Sequence, residues 1–156
     1  MKKTSFLSKL KKEGKLELIE PSEEVSKAYT EKSESNLVSA KILLESNRLE
    51  EAVALAYYSM YHILIALLFK VGIKSENHSA SIILLEDIFK IDSSDISFAK
   101  KERIDKQYYI SFRITKEEVS DSIIKAEIFN NKLLDFISKL TNKDIDLYRN
   151  KFGELF

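Results

Sequence analysis

The sequence predicts an all-α fold, an up-and-down bundle of four to five helices with short helical extensions at both ends. Three observations predict it. Only 3 glycines and 1 proline occur in 156 residues, too few for a chain built on turns. Ala52 to Phe69 runs 18 residues without Asp, Glu, Lys or Arg, a pattern a helix tolerates when neighbours cover it on every side. Val119, Ile123, Ala126, Phe129, Leu133, Phe136 and Leu140 recur at steps of three and four, which is one continuous bundle-forming stripe.

Phe6, Leu7 and Leu10 make a short basic amphipathic segment that ends near Gly14, and Leu16 to Ile19 read as irregular or extended. Pro21-Ser22-Glu23-Glu24 is a helix start, with acids in the first turn where the helix dipole favours them. No breaker follows until Asn47, which sets the first long helix at about residues 22–46. Asn47-Arg48-Leu49-Glu50 has capping-box spacing and is expected to open the apolar helix, which Gly72 closes. Asn77 caps a third helix whose Ile82, Leu85, Ile88 and Phe89 share one face. Ser93, Ser94 and Asp95 interrupt the pattern before a more polar fourth helix, about residues 95–111. Thr115-Lys116-Glu117-Glu118 is another capping box and starts the fifth. Ile145, Leu147, Tyr148 and Phe152 mark a short terminal helix that docks or frays. Residues 1–20 are therefore an N-terminal arm, 21–140 the bundle and 141–156 a helical tail.

Because 25 basic residues balance 25 acidic ones, no whole-molecule field draws the chain to nucleic acid or an anionic membrane, and a site for either has to be a local patch. The chain has no cysteine, which excludes disulfides, thiol nucleophiles and thiolate metal sites. With two histidines, a zinc site is not expected, and neither is a cofactor. The uncharged run reaches the lower limit of a membrane span. Tyr57, Tyr58, Ser59, Tyr61 and His62 lie at its middle, however, where hydrocarbon would leave their polar tips unpaired. It reads as the buried centre of the bundle or a dimer seam, with no membrane partner. Met1 to Glu20 holds no apolar run long enough for an export signal, so the cytoplasm is the expected compartment.

Two segments carry candidate chemistry. In Gly72-Ile73-Lys74-Ser75-Glu76-Asn77-His78 a loop bearing Lys74 leads into a helix whose first amides are free and whose second position would be His78, a terminus that attracts anions such as phosphate. Its plainer reading is an N-cap with surface charges. Between Lys100 and Lys116 six basic residues, Lys100, Lys101, Arg103, Lys106, Arg113 and Lys116, face two acids, Glu102 and Asp105. Tyr108, Tyr109 and Phe112 are interleaved. Basic charge to hold phosphates together with rings to stack bases is the combination that single-stranded nucleic-acid surfaces use, the alternative being a solvated helix with inward aromatics.

Several pieces together resemble the HEPN-domain family, in particular its small stand-alone archaeal and bacterial members: Glu17 to Ala28 (ELIEPSEEVSKA), Lys32 to Leu37 (KSESNL) with Ala40-Lys41, the run Ala56 to Leu68 (AYYSMYHILIALL), and GIKSENH. The resemblance implies a four- to five-helix bundle, usually homodimeric. It implies one of two activities, a metal-independent ribonuclease of toxin–antitoxin and defence systems or a partner of a small nucleotidyltransferase. In ribonuclease members an Arg is followed, after four to six residues on a late helix, by a His, and two such pairs meet across the dimer. Here the matching Arg is Arg103, and the allowed spacings hold Tyr108, Tyr109 and Ile110. A tyrosine of ordinary pKa near 10 is a poor acid–base group at neutral pH, where histidine titrates. The departure favours a non-catalytic binding or regulatory module, engaging a nucleotidyltransferase, nucleotide or RNA through Arg103, Lys106, Tyr108, Tyr109, Arg113, Lys74 and His78. The alternative is a ribonuclease with a degenerate Arg-x4-Tyr, in which Arg103 stabilises charge and Tyr108 or Tyr109 replaces the His.

Overall fold

The computed structural model describes residues 2–108 and 113–156, with side chains described for all of these except residue 2 and residues 105–108. Its helices are α1 (Lys2–Lys12), α2 (Glu23–Glu45), α3 (Leu49–Val71), α4 (His78–Asp87), α5 (Ser94–Tyr108), α6 (Lys116–Ser138) and α7 (Asn142–Gly153). One short antiparallel ladder joins β1 (Leu16–Leu18) to β2 (Ile73–Ser75). The all-α expectation holds.

Helix α3 is the axis. By length and composition it could cross a membrane, yet 72% of its most apolar window is buried inside the protein, and α2, α6, α5, α4 and α7 all pack against it. Its composition thus follows from being enclosed by helices. The face that α2 turns inward is small: Ser26, Ser33 and Ala40 are its buried residues. Ser26 Oγ donates to the Ala66 carbonyl at 2.7 Å and Ser33 Oγ to the Ser59 carbonyl at 2.6 Å, so both buried hydroxyls are satisfied without water. Opposite them, Asn130 of α6 donates through Nδ2 to Ser59 Oγ at 3.1 Å. The α6 stripe buries Val119, Ile123, Ala126, Phe129 and Leu133 as its spacing predicts, whereas Phe136 is half-buried and Leu140 lies past the end of the helix, half-buried against the core.

Helix ends follow their capping residues, with one correction. Ser22, Asn77 and Thr115 each accept a backbone amide of the first turn through their side chains, and Gly72 ends α3 in the left-handed conformation. Asn47 does not open α3. It adopts φ 59 as the left-handed residue that closes α2: Asn47 N donates to Leu44 O and Arg48 N to Leu43 O, the paired bonds of a Schellman ending. The cap of α3 is Arg48, which makes no side-chain cap bond.

The termini pack onto the bundle. Leu7, Leu10 and Leu16 are buried in the common core, and the segment read as extended pairs residue for residue with β2, Glu17 opposite Lys74. At the other end Phe152 is 1% exposed, so the terminal helix docks. Arg149 of α7 donates through Nη1 to the carbonyls of Ile19, Val71 and Gly72 at 2.7, 3.1 and 3.0 Å. One guanidinium thereby satisfies carbonyls at the C-terminal end of α3, where positive charge is favoured. Across α2 and α6, Val38, Ile42, Ile124 and Ile128 are each more than half exposed, and Lys41 reaches Glu127 at 3.2 Å between the two helices.

Candidate functional site

Tyr57, Tyr58, Tyr61 and His62 fall on one side of α3, because steps of one, three and four residues return to a common face. The Asn77 cap starts α4 so that its first residue, His78, stands over that face. Its ring stacks on Tyr61 at 3.7 Å between centroids, and Nδ1 lies 2.8 Å from the Tyr57 hydroxyl. Helix α5 then crosses α3 and brings in two cations one turn apart. The Arg103 guanidinium lies 4.9 Å from the Tyr58 ring centroid and 5.7 Å from that of Tyr57, a cation–π arrangement with both. Its Nε is buried without a hydrogen-bond partner. Lys100 Nζ donates to Ser79 Oγ at 2.6 Å. Between α4 and α5 a groove of about 350 Å3 opens, lined by Ser79, Ile82, Ile83, Lys100, Lys101 and Ile104.

Electrostatics keep the two imidazoles neutral. Burial pushes His78 below the ordinary histidine range, and the nearby charges of Arg103 and Lys100 push it the same way. Burial takes His62 down to about 4, helped by Lys32 and His78. Burial raises Tyr57 and Tyr61 above the ordinary phenol value, so both remain hydroxyls at neutral pH. Arg103 therefore has no carboxylate or phenolate counter-ion among the described residues. A guanidinium backed by rings, with a lysine and a neutral histidine beside it, can bind an anion, and Nε2 of His78 can donate to it or accept from it according to tautomer.

These shifts give the protein an acid-sensitive stability. The His62 imidazole titrates near 6.5 in an unfolded chain and at about 4 when folded, so between those values the unfolded chain holds more protons. Stability is full above pH 6.5 and is lost as the pH falls toward 4, with His78 adding in the same direction. Since His62 is only half-buried, solvent screening reduces the effect to about 1–2 kcal/mol. Thermal denaturation should show a lower Tm at pH 5 than at pH 7.5, and a smaller difference in His62→Gln. A Tm at pH 5 equal to or above that at pH 7.5 would refute the burial account of His62.

Of the residues singled out in the sequence, Arg103 and His78 are brought together, from helices α5 and α4. Lys74 is not with them: it sits on β2 and pairs with Glu17 at 3.0 Å and Glu76 at 3.6 Å, so its charge is matched within the fold. Arg113 lines a separate hollow with Asn47, Arg48 and Glu51 near the start of α3. Tyr109 and the side chains of Lys106 and Tyr108 lie outside the described residues. What sequence reasoning underrated is the tyrosine triplet of α3 and Lys100. The signal was present in Tyr-Tyr-x-x-Tyr-His, where large polar-tipped rings interrupt an otherwise aliphatic helix.

The HEPN domain family matches residues 26–136, which runs from the first turn of α2 to the last turns of α6. The chain belongs to the HEPN family. Among its relatives, a protein of Methanocaldococcus jannaschii named "Putative toxin" is 31% identical over 113 residues, covering 68% of this chain and 84% of that one. A UPF0332 protein of Pyrococcus horikoshii is 43% identical over 60 residues, 38% of this chain and 42% of its own length. Arg103, His78 and the α3 tyrosines all fall inside the HEPN match, whereas α1, β1 and α7 lie outside it. Among the described residues no group of three or more His, Asp or Glu side chains is placed to hold a metal ion.

Proposed function

We propose that this HEPN domain is a binding module of a toxin–antitoxin-type system and takes the phosphate of a nucleotide or RNA at Arg103. The observation that carries this reading is the Arg103 guanidinium itself: it lies over Tyr58 and Tyr57 with a buried, unpartnered Nε, next to neutral His78 and to Lys100. A phosphate would supply the missing counter-charge and accept from all three groups. The HEPN match and the relative named as a toxin support the system. Titration of labelled single-stranded RNA and of a nucleoside triphosphate into the native protein should give salt-sensitive binding. Equal affinity in a Lys100→Ala, His78→Gln double variant would sink the reading.

One observation favours a second reading, a metal-independent ribonuclease. An imidazole does stand by Arg103, supplied by α4 and not by the Arg103 segment. Cleavage would form a bond from the 2′-oxygen to phosphorus and break the bond from phosphorus to the 5′-oxygen. His78 Nε2 would take the 2′-hydroxyl proton, the departing 5′-oxygen would take a proton from water, and Arg103 would offset the charge gathering on the phosphoryl oxygens. Incubation with RNA in a chelator separates the readings. Product that disappears in both Arg103→Ala and His78→Gln favours the nuclease; binding without product favours the module.

The family resemblance adds a cytoplasmic homodimer and a small nucleotidyltransferase partner. For the dimer, Val38, Ile42, Ile124 and Ile128 offer an exposed aliphatic face of the kind association covers. Sedimentation should find a dimer in the native protein and a monomer in Ile42→Lys plus Ile128→Lys. A monomeric native chain removes the dimer from the proposal.

A further inference from the structure

Past Tyr61 the same face of α3 continues into a second hollow of about 330 Å3 between α2, α3 and β2, lined by Tyr29, Lys32, Tyr61, His62, Ile65 and Phe69 among others. Tyr61 and Ile65 are buried and form its floor, whereas Tyr29, His62 and Phe69 keep part of their surface open. Tyr29 and Phe69 lie nearly parallel, 5.5 Å between centroids, and Tyr29 stands 5.8 Å from His62. The His62 ring is fixed by its Nδ1, 2.7 Å from Asn36 Oδ1. That oxygen can only accept, so the hydrogen of the neutral ring is on Nδ1 and Nε2 keeps a lone pair. At the rim, Lys32 has no ion-pair partner among the described residues.

The hollow adjoins the Arg103 site through shared rings. His78 stacks on Tyr61, which belongs to both, and Tyr58, the ring beneath the guanidinium, stacks on His62 at 6.0 Å. Aromatic walls, an unpaired acceptor and a cation at the rim together match an unpaired nucleobase: the base presents a π-face for stacking and hydrogen donors on its edge, and its backbone carries the negative charge. A duplex would hide those faces in its own stack, and an apolar peptide would have no use for Lys32 or the acceptor.

We infer that the α2–α3 hollow is the base subsite of a single-stranded nucleic acid whose phosphate lies at Arg103, with His62 Nε2 accepting a hydrogen from the base edge. The inference rests on the reading of Arg103 as the phosphate site. Fluorescence anisotropy on the full chain, comparing a short oligoadenylate with a ribose-phosphate chain of equal length that lacks bases, tests it. The native protein should bind the oligoadenylate about tenfold more tightly, the usual scale of one stacked base. Tyr29→Leu, with its fold checked by circular dichroism, should reduce that ratio to near one without changing affinity for the baseless chain. Lys32→Glu, an exposed substitution, should weaken oligoadenylate binding at unchanged Tm. Equal native affinities for the two chains, or a preference that survives Tyr29→Leu, overturns the base subsite and leaves the Arg103 reading standing. Failure of both chains to bind overturns the two together.

Discussion

Gly72→Ala is expected to destabilise the protein by about 3 kcal/mol or more and to lower Tm by roughly 6–12 °C, on the usual scale for a chain of this size. Gly72 closes α3 at φ 88, a left-handed conformation that costs an L side chain about 1–2 kcal/mol. Space adds to strain. A Cβ there would collide with the Arg149 guanidinium and lie 2.5 Å from the Ile19 carbonyl oxygen and 2.9 Å from Pro21 N. A side chain could swing away, but Ile19 and Pro21 present backbone, and Ile19 N also donates to Gly72 O at 2.9 Å. The same point ties three parts of the chain together, since Arg149 binds Ile19, Val71 and Gly72 at once. Relief in one place loosens the arm, the end of α3 and α7 together. Differential scanning calorimetry reads the outcome, and an alanine variant within 2 °C of the native Tm would show that the junction is plastic.

How much of this was legible in the residues depended on what kind of signal each element carries. The α6 stripe and the α3 run are written in large apolar side chains at helical spacing, and both appear in the fold as read up to the last turn of α6, where the helix ends at Ser138, short of Leu140. Helix α2 was legible by its length and start but not by its buried face, because Ser26 and Ser33 look like surface residues until their hydroxyls are seen bonded to α3 carbonyls. Asn47 illustrates a true ambiguity. The same residue type caps a helix start and tolerates the left-handed end of the one before, and with α2 and α3 almost abutting, the ending won. The β1–β2 ladder was out of reach, since three-residue strands separated by two helices leave no period to detect. At the site, Arg103 and His78 were each visible as candidates. Their meeting was not, because His78 lies 25 positions upstream of Arg103 and the pair is made by α4 and α5 crossing over α3.

The second large effect is on ligand binding. Arg103→Ala should weaken RNA or nucleotide affinity by about 10- to 100-fold, the scale of a lost charge-assisted contact, and Arg103→Lys should recover little of it. A guanidinium is a weakly hydrated plane that sits over the Tyr58 and Tyr57 rings and offers several donors in a fixed fork to an anion; an ammonium is a compact, strongly hydrated point charge without that fork. Substitution also has a readout independent of any ligand. The Arg103 charge helps hold the His78 pKa down, second to burial and ahead of Lys100, so in Arg103→Ala the His78 pKa, followed by NMR, should rise while staying below the ordinary histidine value, because burial persists. Arg103→Lys should raise it less. A His78 pKa that does not move in the alanine variant would mean that the guanidinium and the imidazole do not share a site, and the phosphate-binding reading would lose its geometric basis whatever the affinities show.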